Sequence, residues 1–330
     1  MNSQTFIENV KHEDKAKKLE AWHAADKQNA DVIPQLAALI KQENTALEKC
    51  VTECLQKIVH SVGKTPGGKK RQAITKELIG LIDKKNMWVS KLAFRYLSWV
   101  AENDSIPKLK KYLTDADLYE EAAYCFERIP SQEANRAMLD ALKQAKGKDQ
   151  KLRLIIALGH QRENDAVETL SKLMQSADKE IALTALESLA KIGQKPQGDA
   201  CPTKFKNLSD VEQQMRDDSI LLLCDALIER RENVELAESM LKTMLDKHPE
   251  EHMKCGAIIS LGNLDKISAV KNIIGMLAYE PSFIVRDTAQ KTLTAMKGQS
   301  ADPALSEALQ SVSGEQKKTL QAIVDARKLL

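Results

Sequence analysis

A nine-residue pattern recurs four times in this chain and constrains its fold more than any other feature. The copies are VIPQLAALI (32–40), SIPKLKKYL (105–113), AVETLSKLM (166–174) and AVKNIIGML (269–277). Each places apolar residues at helical spacing on one face, and each is followed, after a polar turn, by a second amphipathic stretch. In the clearest unit, 162–193, the first stripe is Val167, Leu170, Leu173 and Met174. The second is Ile181, Ala185, Ser188, Leu189 and Ile192, closed by Gly193. Two stripes this narrow cannot bury themselves as a lone hairpin, so the unit is stable only when stacked on copies of itself.

The anchors of the four copies, Ile33, Ile106, Val167 and Val270, lie 73, 61 and 103 residues apart. These gaps divide into two, two and three units of roughly 30–37 residues each. The expected fold is therefore all-α: a single curved α-solenoid of about nine to ten antiparallel helical hairpins. Two sub-arrays, 1–193 and 208–330, are expected on either side of the loop 194–207, where Pro196 and Pro202 stop any helix. The helix expected over 209–231 is longer than the others and off their pattern. It pairs with 234–246 in a tetratricopeptide-like hairpin. Hydrophobic content of 43% supports a continuous core, and no stretch alternates like a strand.

Beyond periodicity, particular residues carry a resemblance. Pro34 and Pro107 sit in the first helices, Asp115 and Asp178 in the turns, and Val285-Arg286 opens a second helix. Ala157-Leu158-Gly159 and Ser260-Leu261-Gly262 close two others. This set resembles the HEAT repeat, in its short bacterial HEAT-like form within the armadillo-type superfamily. The resemblance spans nearly the whole chain and is weakest at both ends and over 207–247. It implies a fold, since the matching positions are core positions, and little about function. In HEAT repeats the slot after the second-helix valine is often an arginine bonded to a neighbour's turn aspartate. Here that slot holds Glu48, Ser90, Tyr119, Lys151, Ala182, Lys254 and Arg286. An Asp–Arg ladder is not expected, and stacking should rest on apolar burial, about 1.5–3 kcal/mol for each well-buried Leu or Ile.

Departures from the regular unit are the places to look for function. In NMWVSKLAFRYLSWV (86–100), Trp88, Lys91, Arg95 and Trp99 recur every three or four residues, so they share a helix face opposite the core residues Val89, Ala93, Tyr96 and Leu97. With Tyr119, Lys151, Lys254 and Arg286 they are the expected lining of a concave binding face. The loop GKTPGGKKR (63–71) offers Lys64, Lys69, Lys70 and Arg71 as an anion-binding set. It is not a nucleotide loop: the glycine that motif needs is Ile58, and a helix precedes. Cys54 and Cys125 read as buried small hydrophobes and Cys201 as an exposed thiol.

No metal or cofactor is expected. Pro249 is expected at the first position of a helix, which leaves His248 outside it, so only His252 and Cys255 share a face. The single His12-Glu13 pair cannot supply the di-iron set of deoxyhypusine-hydroxylase-type repeat enzymes, and no residues point to bilin lyases. Forty-nine basic against 47 acidic residues argue against a surface made for a polyanion. No apolar run reaches signal-peptide or membrane-span length, and the six cysteines suggest a reducing compartment, so a cytoplasmic location is expected. The leading expectation is a non-enzymatic scaffold binding a protein or extended peptide. The alternative is a nucleic-acid binder, or an enzyme resembling the HEAT-like alkylpurine glycosylases, using the 88–99 face and the 64–71 loop.

Overall fold

The computed structural model describes residues 1–41, 43, 45–198 and 205–328. The described residues form nineteen α-helices with four short 3-10 turns and no strand. They divide into two compact units, 1–161 and 162–330. The loop 194–207, expected to join two sub-arrays, lies inside the second of these units. The helices before and after it pack directly on each other within the second unit.

The first unit holds five helix pairs. These are α1 (Ser3–Lys11) with α2 (Lys15–Ala24), α3 (Val32–Ala37) with α4 (Ala46–Gly63), and α5 (Lys69–Gly80) with α6 (Met87–Val100). Then come α7 (Ile106–Leu109) with α8 (Tyr119–Phe126), and α9 (Gln132–Gln144) with α10 (Lys148–His160). The second helices α4, α6, α8 and α10 pack in succession to make one layer. Side-chain caps start many of the helices. Thr45 accepts from the Glu48 N–H, Asn86 from the Val89 N–H and Ser131 from the Ala134 N–H, each satisfying a donor that the first turn leaves open. The core is apolar as the stripes dictate, with Phe6, Ile33, Leu55, Ile58, Phe94, Leu97 and Phe126 at most 1% exposed.

The second unit contains α11 (Val167–Leu173), α12 (Lys179–Ile192), α13 (Asp210–Arg230), α14 (Val234–Lys247), α15 (Glu251–Gly262), α16 (Ile267–Tyr279), α17 (Phe283–Ala295), α18 (Ala301–Ser311) and α19 (Gly314–Arg327). α13 is started by a capping box in which Ser209 and Glu212 satisfy each other's backbone donors. It packs on α12 and α15, in the row of second helices. α13 and α14 form the expected hairpin, and α14 also packs on α15, so two second-layer helices share one first-layer helix. The described residues between α12 and α13 form no helix, and the Gln197 N–H donates to Ser171 Oγ on α11 at 2.9 Å. Gly193 ends α12 at φ 73°, where a Cβ would stand 3.1 Å from Ala226 on α13. Both the left-handed backbone and the close approach of the helices therefore require glycine.

The variable slot has a role that the sequence did not show. The Glu48 carboxylate accepts from the backbone N–H groups of Lys41 and Glu43. Ser90 Oγ donates to the Asp83 carbonyl at 2.8 Å and accepts the Asp83 N–H at 2.9 Å. Arg286 donates to the carbonyls of Glu280 and Pro281, both at 2.6 Å. In each case the side chain fastens the turn of its own repeat. Lys254 instead reaches forward to Glu280 at 2.7 Å. Polar ties between layers therefore supplement the apolar stacking.

The Lys254 hydrogen bond, with help from the Ser282 N–H, holds the Glu280 carboxyl below its ordinary value of 4.5. A carboxyl depressed by folding contributes stability above its unfolded value and loses it as pH falls through the folded one. Glu280→Gln is therefore expected to melt lower than wild type near neutral pH, with the gap closing progressively below pH 4.5. Thermal melts across that window test it, and a gap independent of pH would refute the linkage.

Candidate functional site

A groove of about 640 Å³ crosses α6, α8 and α10. Helix α6 contributes Trp88, Lys91, Leu92 and Arg95; α8 contributes Glu120, Glu121 and Tyr124; α10 contributes Arg153. The spacing of 88, 91, 92 and 95 keeps four side chains on one side of α6, while Val89, Ala93, Phe94, Tyr96 and Leu97 are buried beneath them. Two aromatic rings stay open to solvent, Trp88 at 40% and Tyr124 at 39% exposure. Large aromatics are ordinarily better covered than these two rings.

Most charges here are already engaged. Lys91 Nζ meets Glu121 Oε1 at 2.7 Å, and this hydrogen bond raises the lysine above its ordinary pKa. The Arg153 guanidinium grips both oxygens of Glu127 at 2.8 and 2.9 Å, a fork-to-fork pair that fixes its plane. Arg128 lies over the Tyr124 ring, 4.5 Å from its centroid. Arg95 is exposed, and its side chain has no hydrogen-bond or ionic partner among the described residues.

Trp99 is not part of this groove. It stands eleven residues after Trp88, on nearly the same face but about 16 Å further along the helix. There it packs on His60 of α4, with ring centroids 4.4 Å apart, and on Tyr96 at 5.5 Å. Tyr119 and Lys151, both half-buried, do not line the groove, because their slot sits one helix position from its face. Lys254 and Arg286 gather at Glu280 in the second unit instead. Glu120, Tyr124 and Arg153 were absent from the sequence-based set. A repeat offset of 29 residues, the separation of the slots Ser90 and Tyr119, carries Lys91 onto Glu120 and Arg95 onto Tyr124.

The loop 63–71 does not present the expected anion site. Arg71 is 8% exposed and turns inward. Its Nε donates to the Val100 carbonyl at 2.9 Å and its Nη1 to the Gly63 carbonyl at 3.0 Å. Lys70 donates to the Asp26 carbonyl at 2.8 Å. The Gly67 N–H already serves a carboxylate, Glu102, at 3.1 Å, which also pairs with Arg71 at 3.0 Å. Only Lys64 and Lys69 remain exposed. The loop holds an anion from its own chain.

In the second unit a pocket of about 410 Å³ between α13, α14 and the start of α15 contains Asp217, which is 5% exposed. Asp217 accepts a forked pair from Arg216 and lies 2.9 Å from His248 Nε2. His248 Nδ1 accepts the Glu250 N–H at 3.2 Å, so both ring nitrogens are committed, and the pair staples α13 to the α14–α15 turn. Pro249 falls before the N-cap Glu250, two steps earlier than the first helical position expected for it. No group of three or more metal-ligating His, Cys, Asp or Glu side chains occurs among the described residues. Cys54 and Cys125 are fully buried, and burial pushes the Cys125 thiol up to about 12, which leaves it unreactive. Cys201 lies outside the described residues. No helix among the described residues is long and apolar enough to cross a membrane.

No family model matches this chain, and no curated protein matches it. Solved structures do. Kap95p, solved in complex with RanGDP, is similar over 98% of this chain and 50% of its own, at 10% identity and TM-score 0.58. An importin beta structure covers 98% of this chain and 54% of its own, at 12% identity and TM-score 0.54. Kap121p covers 98% and 41%, at 10% identity and TM-score 0.54. The chain thus spans about half the length of these relatives. At such identities the likeness establishes the fold: an all-helical repeat of the HEAT type.

Proposed function

We propose that this HEAT-type chain is a non-enzymatic interaction scaffold, and that the groove across α6, α8 and α10 receives a protein or extended peptide. The observation that carries the reading is the pair of half-exposed rings, Trp88 and Tyr124, set on helices of two successive repeats. The helices are fixed by a core beneath them, so the rings are presented with little to lose in ordering, which favours binding. The groove is a shallow channel with no nucleophile and base brought together in it, as suits a chain that grips rather than transforms. The Kap95p structure with RanGDP shows a fold of this type bound to a protein, which is consistent with the proposal.

Two substitutions separate a binding role from a structural one. Trp88→Ala together with Arg95→Ala removes an exposed cation and a ring that is 40% open, so the loss of stability should stay well short of the about 3–5 kcal/mol that truncating a fully buried ring costs. Affinity for the partner, measured by titration of an isolated complex, should fall at least about tenfold, since open aromatic and arginine anchors dominate such interfaces. A large drop in melting temperature would assign the two residues to the fold. Unchanged partner affinity would move the binding face elsewhere, the first place to look being the exposed cluster Tyr279, Phe283 and Ile284 at the α16–α17 turn (86%, 73% and 59% exposed).

A further inference from the structure

We infer that the segment received by this groove carries a single carboxylate beside an apolar side chain, the carboxylate on Arg95 and the apolar group on Trp88 and Tyr124. The inference rests on the protein-binding reading above and gives its partner a chemistry. It follows from the charges left over once internal pairs are subtracted. Lys91 is held by Glu121, Arg153 by Glu127, and Arg128 is stacked on Tyr124. Arg95 alone among the groove's cations has neither an ionic partner nor a stacked ring among the described residues. An exposed guanidinium with no partner among the described residues, in a groove that also holds two half-open rings, is matched by one planar anion accepting two of its donors. The opposite charge, Glu120, lies in the first turn of α8, where the helix dipole favours it, and its field falls on Lys91. It needs no cation from a partner.

The same inventory selects against a polyanion. A nucleic-acid strand that placed one phosphate on Arg95 and stacked a base on Trp88 would bring its neighbouring phosphates toward Glu120 and Glu121. Those carboxylates line the same groove, and the remaining lysine is already paired. Nucleic-acid grooves normally supply several free cations, one for each phosphate held. Here there is one. A lone carboxylate is satisfied by Arg95 with no second charge to accommodate.

The test uses the full chain and fluorescein-labelled synthetic peptides that share one Leu-Phe core. They are flanked by a glutamate, a lysine or a glutamine, with a labelled oligothymidine alongside, and binding is read by anisotropy at low salt. The glutamate peptide should bind at least about tenfold tighter than the glutamine and lysine peptides. Arg95→Gln should abolish that preference, and Arg95→Glu should invert it toward the lysine peptide. Arg95 is exposed, so both variants should keep the wild-type melting profile, measured in parallel. Trp88→Ala should weaken all three peptides alike. Equal binding of glutamate and glutamine peptides, or tighter binding of the lysine peptide, would overturn the carboxylate inference while leaving the groove a peptide site. Binding of the oligothymidine alone, or of no probe, would overturn the peptide-binding reading with it.

Discussion

Arg71→Met is expected to destabilise the 1–161 unit by about 3 kcal/mol, to be read as a lower urea midpoint with unchanged slope. The arginine is 8% exposed and ties three segments together. It joins the end of α4 through the Gly63 carbonyl, the end of α6 through the Val100 carbonyl, and the following loop through Glu102. Methionine fills a similar volume but leaves both carbonyls one donor short and Glu102 without its countercharge. Glu102 is partly solvated, with a side chain 29% exposed, which keeps the cost at the lower end of the range for a broken buried pair. Arg71→Lys recovers little, since an ammonium cannot reproduce a fork that serves two carbonyls and a carboxylate in one plane. A loss below about 1 kcal/mol for Arg71→Met would show that the arginine is incidental to the packing.

Phe94→Ala is the second large effect, at about 3–5 kcal/mol. Phe94 is fully buried on α6 and meets Tyr112 edge to face, with centroids 5.4 Å apart at 83°. Removing the ring leaves a cavity between helices whose other side chains are locked by their own neighbours, and it forfeits the aromatic pair. The comparison with Trp88→Ala is informative because both rings stand on one helix, six residues apart. The buried one should control melting and the open one should control binding. A double-mutant cycle with Tyr112→Leu isolates the pair term, expected at about 0.5–1.5 kcal/mol. If Phe94→Ala melted within about 1 kcal/mol of wild type, the core assignment of α6 would be wrong.

The fold was legible because one signal is written many times. Apolar spacing at Val167, Leu170 and Met174 recurs at Ile33, Leu36 and Ile40, and all of these are buried. Arg71 could have been read the same way. It stands on the stripe of Ile74, Thr75 and Leu78, all of which face inward, and only its charge suggested a surface role. The error at Trp99 has a different origin. Helical periodicity fixes the side of a helix on which a residue lies but not which neighbour it meets along the axis. Glu120 and Tyr124 were missed because a groove between repeats needs the register of one helix against the next. The turn-fastening slot was hidden for a related reason. Glutamate, serine and arginine do one job there with opposite polarities, so no residue type marks it.

The shared helix α14 has a mechanical consequence. Around α13 the second-layer row α12–α13–α15 runs unbroken, whereas on the first-layer side α14 packs on both α13 and α15, and Gln197 is tied to Ser171 of α11. Within the second unit this resembles a beam with a notch cut in one flange. Tension along the intact flange is carried through α12, α13 and α15. On the other side α14 is the one helix among the described residues that packs on both α13 and α15, so resistance to bending there is expected to rest on it.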